Sequence, residues 1–168
     1  MMEQKKEFDL KSVKVHRTTQ GTILEVVFAI MAVVVWGVII WLVSKAPDIV
    51  PTHFDAAGKP NAYGTPAGIM IPCAIVTLMG IGLMITAYYP RNINMPFKVT
   101  NIQQVKLAIL SIRIAAIILL LIALAIAYSL LGTKTPNATM IVAPVILLIV
   151  EMVGFSILAR RARRYNGC

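Results

Sequence analysis

Charged residues, cysteine and histidine are all scarce in this 168-residue sequence. Only 14% of its residues are charged and 58% are hydrophobic, whereas soluble domains have about 25% charged residues. This balance excludes an ordinary soluble domain and indicates an integral membrane protein.

The two cysteines and two histidines also limit the chemistry that the chain can perform. Cys73 and Cys168 fall on opposite sides of the membrane in the topology predicted below, which excludes a disulfide between them. No CxxC or Cys/His cluster indicates a metal site. No serine or cysteine has an evident base partner, and no carboxylate pair has a catalytic spacing. We therefore predict no catalytic residue and no cofactor.

The net charge of +9 does not indicate a nucleic-acid partner, because no basic stripe is interleaved with aromatic residues. Basic residues that flank membrane spans are the more ordinary explanation. The expected partner is the lipid bilayer with its anionic surface.

Four apolar runs predict an all-α fold, an integral membrane four-helix bundle made of two transmembrane hairpins. Thr65-Pro66 is a typical helix start, and residues 100–103 match a capping box with Thr100 as the cap. The predicted spans are 22–44, 66–89, 105–131 and 138–159. The remaining segments are the tails 1–21 and 160–168, the loops 45–65 and 90–104, and the turn 132–137.

The basic residues are distributed unequally between the two ends of the predicted bundle. Twelve lie in the tails and around the 90–104 loop, against three in the other two connections. The positive-inside rule then predicts that both termini are cytoplasmic and that the 45–65 loop lies outside.

Three ionisable residues, Glu25, Arg113 and Glu151, fall inside apolar runs. Counting helix rise from the inner end places Arg113 about 10 Å deep and Glu151 about 13 Å deep. An unpaired charge at that depth is costly, so we predict that Arg113 pairs with Glu151, with Glu25 as a potential third member. This pair is either a packing clasp between helices or part of an ion relay.

The 45–65 loop contains a dense set of motif residues. They form the patterns P-x-H-F, G-x-P-N and Y-G, and comprise Pro47, Asp48, Pro51, His53, Phe54, Asp55, Gly58, Pro60, Asn61, Tyr63 and Gly64. The prolines restrict the backbone, and Asp55 to Gly58 suits a turn. We predict an ordered cap rather than a flexible linker.

The loop with its two flanking spans resembles the DUF1648 family of bacterial membrane proteins, and is similar to the first part of SdpI-type immunity and signalling proteins. The resemblance implies a multi-pass protein of the bacterial cytoplasmic membrane that senses or signals through its outer loop. A peptide, lipid or protein would then be the partner there, and a homo-oligomer is compatible with the chain.

Two other functions stay open from the sequence. One is a small ion-coupled carrier that uses Arg113 and Glu151. The other is a metal-dependent enzyme in which His53, Asp48 and Asp55 bind the ion, although three ligands in so short a loop are a weak pattern. His53 alone could also brace the loop by a hydrogen bond or titrate near neutral pH.

Overall fold

The structure, a computed structural model, describes residues 8, 10, 13–55, 59–95, 97–132 and 139–164. Several predictions fall outside these residues. They concern Gly58, most of the turn 132–137, Cys168 and the ends of both tails.

Four long helices and one short β-hairpin make up the described chain. The hairpin consists of β1 (Val50–Phe54) and β2 (Pro60–Gly64), which pair in antiparallel orientation. The helices are α1 (Thr19–Lys45), α2 (Met70–Thr86), α3 (Ile102–Leu131) and α4 (Thr139–Arg164). Short 3-10 helices at Pro66–Ile69 and Pro90–Asn92 precede α2 and follow it.

Local sequence explains where the helices begin. The Thr18 hydroxyl accepts a hydrogen bond from the Gly21 N–H and caps α1. Pro66 stands at the first position of the 3-10 turn that leads into α2, as Thr65-Pro66 predicted.

The start of α3 differs by one residue from the predicted capping box. Asn101, not Thr100, is the cap, and its side chain accepts from the Gln104 N–H. Gln104, not Gln103, reaches back and accepts from the Thr100 N–H. The Gln104 side-chain amide also donates to the carbonyl of Ala159 at the end of α4. This interhelical contact explains why Gln104, and not the exposed Gln103, makes the capping hydrogen bond.

Helix α3 lies at the centre of the bundle and packs against each of the other three helices. Ala116, Leu120, Ala123 and Ala127 lie on its buried face and are inaccessible to solvent. The small side chains of the three alanines permit close helix approach. At Gly80 of α2, an added Cβ would lie 3.2 Å from both the Phe28 ring and the Ala116 carbonyl oxygen, so three helices meet there.

All four helices are long and apolar enough to cross a membrane. This confirms the multi-pass, predominantly helical architecture. The β-hairpin adds strand structure that the all-α prediction did not contain. Which side of the membrane holds the termini stays a prediction.

Candidate functional site

The motif residues of the 45–65 loop form a compact β-hairpin at the junction between α1 and α2. The register pairs Val50 with Gly64, Pro51 with Tyr63, His53 with Ala62 and Phe54 with Pro60. Irregularities on both sides of His53 interrupt the ladder. Prolines are tolerated because both strands of a two-stranded sheet are edge strands.

One apolar residue anchors the hairpin to the bundle. Val50 is 3% exposed and belongs to the same buried cluster as Leu42, Ile69 and Ala127. Its neighbour Ile49 is 68% exposed. The hairpin is therefore seated on the ends of the helices.

The polar side of the hairpin is exposed to solvent. His53 Nδ1 and Asn61 Oδ1 lie 2.5 Å apart and link the two strands. Both side chains are exposed, as is Tyr63 with 63% of its surface accessible. This hydrogen bond braces the loop, which is one of the roles that the sequence suggested for His53. The imidazole ring nevertheless stays exposed.

The remaining motif residues have simpler positions. Asp55 accepts a hydrogen bond from the Lys59 N–H at 2.8 Å and closes the strand ends around residues 56–58. Pro47, Asp48 and Pro60 are exposed, whereas Pro51, Phe54 and Gly64 are half-buried.

The hairpin does not assemble the three ligands that a metal-dependent enzyme would need. Among the described residues, no group of three His, Cys, Asp or Glu side chains could hold a metal ion. His53, Asp48 and Asp55 therefore do not form the metal site considered from the sequence, because His53 faces Asn61 across the strands instead.

A second polar site lies near the opposite ends of α1 and α2. The Arg113 guanidinium donates to Glu25 Oε1 at 3.0 Å and stacks over the Tyr88 ring at 5.3 Å. The Tyr88 hydroxyl donates to the same Glu25 oxygen. Arg17 donates to Glu25 Oε2 at 3.1 Å, and this hydrogen bond raises the pKa of Arg17 above its ordinary value.

The predicted pair between Arg113 and Glu151 is therefore corrected. Glu151 instead accepts a hydrogen bond from the Ser111 hydroxyl at 2.6 Å, and Arg113 takes Glu25 as its partner. Ser111 and Arg113 are two residues apart on α3, which turns them about 200° from each other around the helix. Ser111 faces α4 and Arg113 faces α1. Equal depth in the membrane did not imply a shared face.

Three residues of this cluster were not recognised as a site from the sequence. The predicted span 66–89 contains Tyr88, and the predicted tail 1–21 contains Gly21 and Arg17. A Cβ at Gly21 would lie 3.0 Å from Arg113 Cζ, so the missing side chain admits the guanidinium. No sequence signal near Gly21 points to a residue 92 positions away.

These features define a membrane protein whose helices carry an ordered hairpin at one end and a buried ion-pair cluster near the other. Residues 30–77 match the family model described as "Domain of unknown function (DUF1648)", the family that the loop and its flanking spans resemble. The matched residues include most of α1, the whole hairpin and the start of α2.

A curated relative from Archaeoglobus fulgidus, described as "Uncharacterized protein", is 30% identical over 71 residues. The match covers 38% of this chain and 39% of the relative, so less than half of either chain is compared. No solved structure matches the chain.

Proposed function

We propose that this protein is a membrane-embedded binding protein that senses or signals by recognising a ligand through its β-hairpin. The observation that carries the proposal is the contrast within that hairpin. Val50 fixes it to the bundle, while His53, Asn61 and Tyr63 remain accessible. An exposed aromatic ring beside an ordered polar pair is a recognition surface with little ordering entropy left to lose.

The charge distribution supports an outer location for this surface. Lys45 and Lys59 are the basic residues near the hairpin in the described chain, whereas Lys14, Arg91 and Lys106 lie towards the other end, as do the arginines that close α4. By the positive-inside rule the hairpin then faces away from the cytoplasm. The ligand class expected there is a peptide, a lipid headgroup or a protein surface, and an immunity role of the SdpI type is one form that such recognition would take.

Site-specific photo-crosslinking tests the proposal. Benzoylphenylalanine replaces Tyr63 in cells that produce the protein. The matched control carries benzoylphenylalanine in place of Tyr89, which is also exposed but lies far from the hairpin. We expect a discrete adduct at position 63 that disappears when His53→Ala and Asn61→Ala are added. Recognition by the hairpin would be contradicted if both positions gave the same adducts, or if the adduct yield at position 63 did not change when His53 and Asn61 were replaced.

An ion-coupled carrier is the second candidate, and Glu151 is the observation that favours it. Its Oε2 atom is buried and has no hydrogen-bond partner among the described residues. Such a carboxylate in an apolar helix is a candidate ion or proton site. Proton flux in proteoliposomes that Glu151→Gln abolishes would support the carrier, and no flux above that of protein-free vesicles would exclude it.

A further inference from the structure

A groove lies between the segment before α1 and the first turns of α1 and α3, at the end of the bundle opposite to the hairpin. Its volume is about 330 Å³, and its walls come from residues 13–24 and 102–113. That volume is at the small end of ligand pockets, large enough for a polar headgroup but not for a whole lipid.

The groove combines positive charge with apolar walls. Lys14 and Lys106 line it and are exposed, and neither pairs with a carboxylate among the described residues. No acidic side chain belongs to the described lining. The walls between the cations include Val13, Leu24, Ile109 and Leu110.

Arg113 adds a buried cation to the exposed basic residues of this groove. Its side chain lines the groove and is only 6% exposed, and its Nε has no hydrogen-bond partner among the described residues. Glu25 is shared by Arg17 and Arg113, so two cations surround one carboxylate. A buried donor without a partner is costly, and an anionic oxygen would satisfy it.

The apolar surface continues from the groove along α1. Leu24 lies in the lining, and Val27, which is one turn further along the same face of α1, is 38% exposed. An alkyl chain that leaves the groove on this side therefore remains against apolar side chains inside the bilayer. This continuity favours an amphiphile over a free anion.

We propose that this groove binds one anionic phospholipid. Lys14 and Lys106 hold its phosphate with Arg113 beneath, and its acyl chains extend along α1 into the bilayer. The site is separate from the hairpin and does not depend on what the hairpin recognises.

Native mass spectrometry of the full chain in detergent tests the site, with phosphatidylglycerol as the probe and phosphatidylcholine and inorganic phosphate as comparisons. We expect one phosphatidylglycerol to bind in preference to phosphatidylcholine. The double variant Lys14→Gln/Lys106→Gln should weaken binding about 25-fold, since each basic residue near an anionic lipid surface contributes about fivefold.

The matched control is Arg161→Gln/Arg163→Gln. These two arginines are exposed at the same end of the bundle and lie outside the groove lining, and replacing them removes the same amount of charge. Near-unchanged binding is expected for this variant. Equal weakening in both double variants would overturn the site in favour of general surface attraction. Equal binding of phosphatidylcholine, or competition by inorganic phosphate at similar concentration, would also overturn the lipid assignment.

Discussion

Arg113 extends from α3 into a space bounded by Glu25, the Tyr88 ring and the backbone of Gly21. The guanidinium is almost fully buried, so the ion pair is poorly screened by solvent. Removing one member of such a pair leaves an uncompensated charge, which costs more than removing both.

A double-mutant cycle tests this arrangement. Arg113→Gln and Glu25→Gln should each lower the free energy of unfolding by about 2–4 kcal/mol. The double variant should lose about 1–3 kcal/mol less than the sum, because the two side chains are in contact. Unfolding in mixed dodecylmaltoside and sodium dodecyl sulfate micelles measures these values.

The control cycle combines Arg113→Gln with Glu151→Gln. We expect additivity within about 0.5 kcal/mol there, because the two residues face different helices. Stronger coupling of Arg113 to Glu151 than to Glu25 would contradict the contacts described above.

Gly21 provides a second test at the residue scale. Gly21→Ala should lower the unfolding midpoint, because the new methyl group must displace the Arg113 guanidinium from Glu25. Gly37→Ala in the same helix is the control, since nothing lies within 4 Å of a Cβ there. Alanine is the better helix former by about 1 kcal/mol in a helix interior such as that at Gly37, and by less in the first turn at Gly21, so only a difference larger than about 1 kcal/mol reports the contact. Equal midpoints for the two variants would argue against a close contact at Gly21.

At the scale of single elements, Val50 is the fully buried residue of the β-hairpin among those that the structure describes. Val50→Ala removes two methyl groups from the buried hydrophobic cluster and should destabilise the docked hairpin by about 2 kcal/mol. Amide hydrogen exchange in residues 50–55 and 59–64 should then become faster. Ile49→Ala is the control because Ile49 is exposed, and exchange as fast in that variant as in Val50→Ala would exclude the proposed anchor.

The elements also differ in how far the sequence predicts them. The spans follow from apolar runs, and the start of α2 follows from Thr65-Pro66. The strands were not predicted, because Pro51 and Pro60 disfavour a sheet interior and the two-stranded edge pairing cannot be inferred from local pattern. The partner of Arg113 does not follow from the sequence, because depth along a helix fixes only one coordinate. The rotation of about 200° between Ser111 and Arg113 decides which neighbouring helix each side chain faces.

For the whole molecule, the remaining prediction is its orientation in the membrane. In a Cys168→Ser background, Thr52→Cys should react with a membrane-impermeant maleimide in intact cells. Arg161→Cys should react only after permeabilisation, because Arg161 lies at the opposite end of the bundle and both positions are exposed. The native Cys73 is buried and should stay unlabelled. The reverse labelling pattern would place both termini outside.

The central position of α3 has a consequence for synthesis of the chain. Helices α1 and α2 have little contact with each other and meet mainly through α3. When these two helices leave the ribosome, the helix that joins them has not yet been made. Until then Glu25 lacks its Arg113 partner, and Gly80 faces neither α3 nor a finished core. Before α3 is made, the first two helices therefore have only their own few contacts, among them the hydrogen bond from the Trp36 indole N–H to the Thr77 hydroxyl, and α3 then supplies most of their packing.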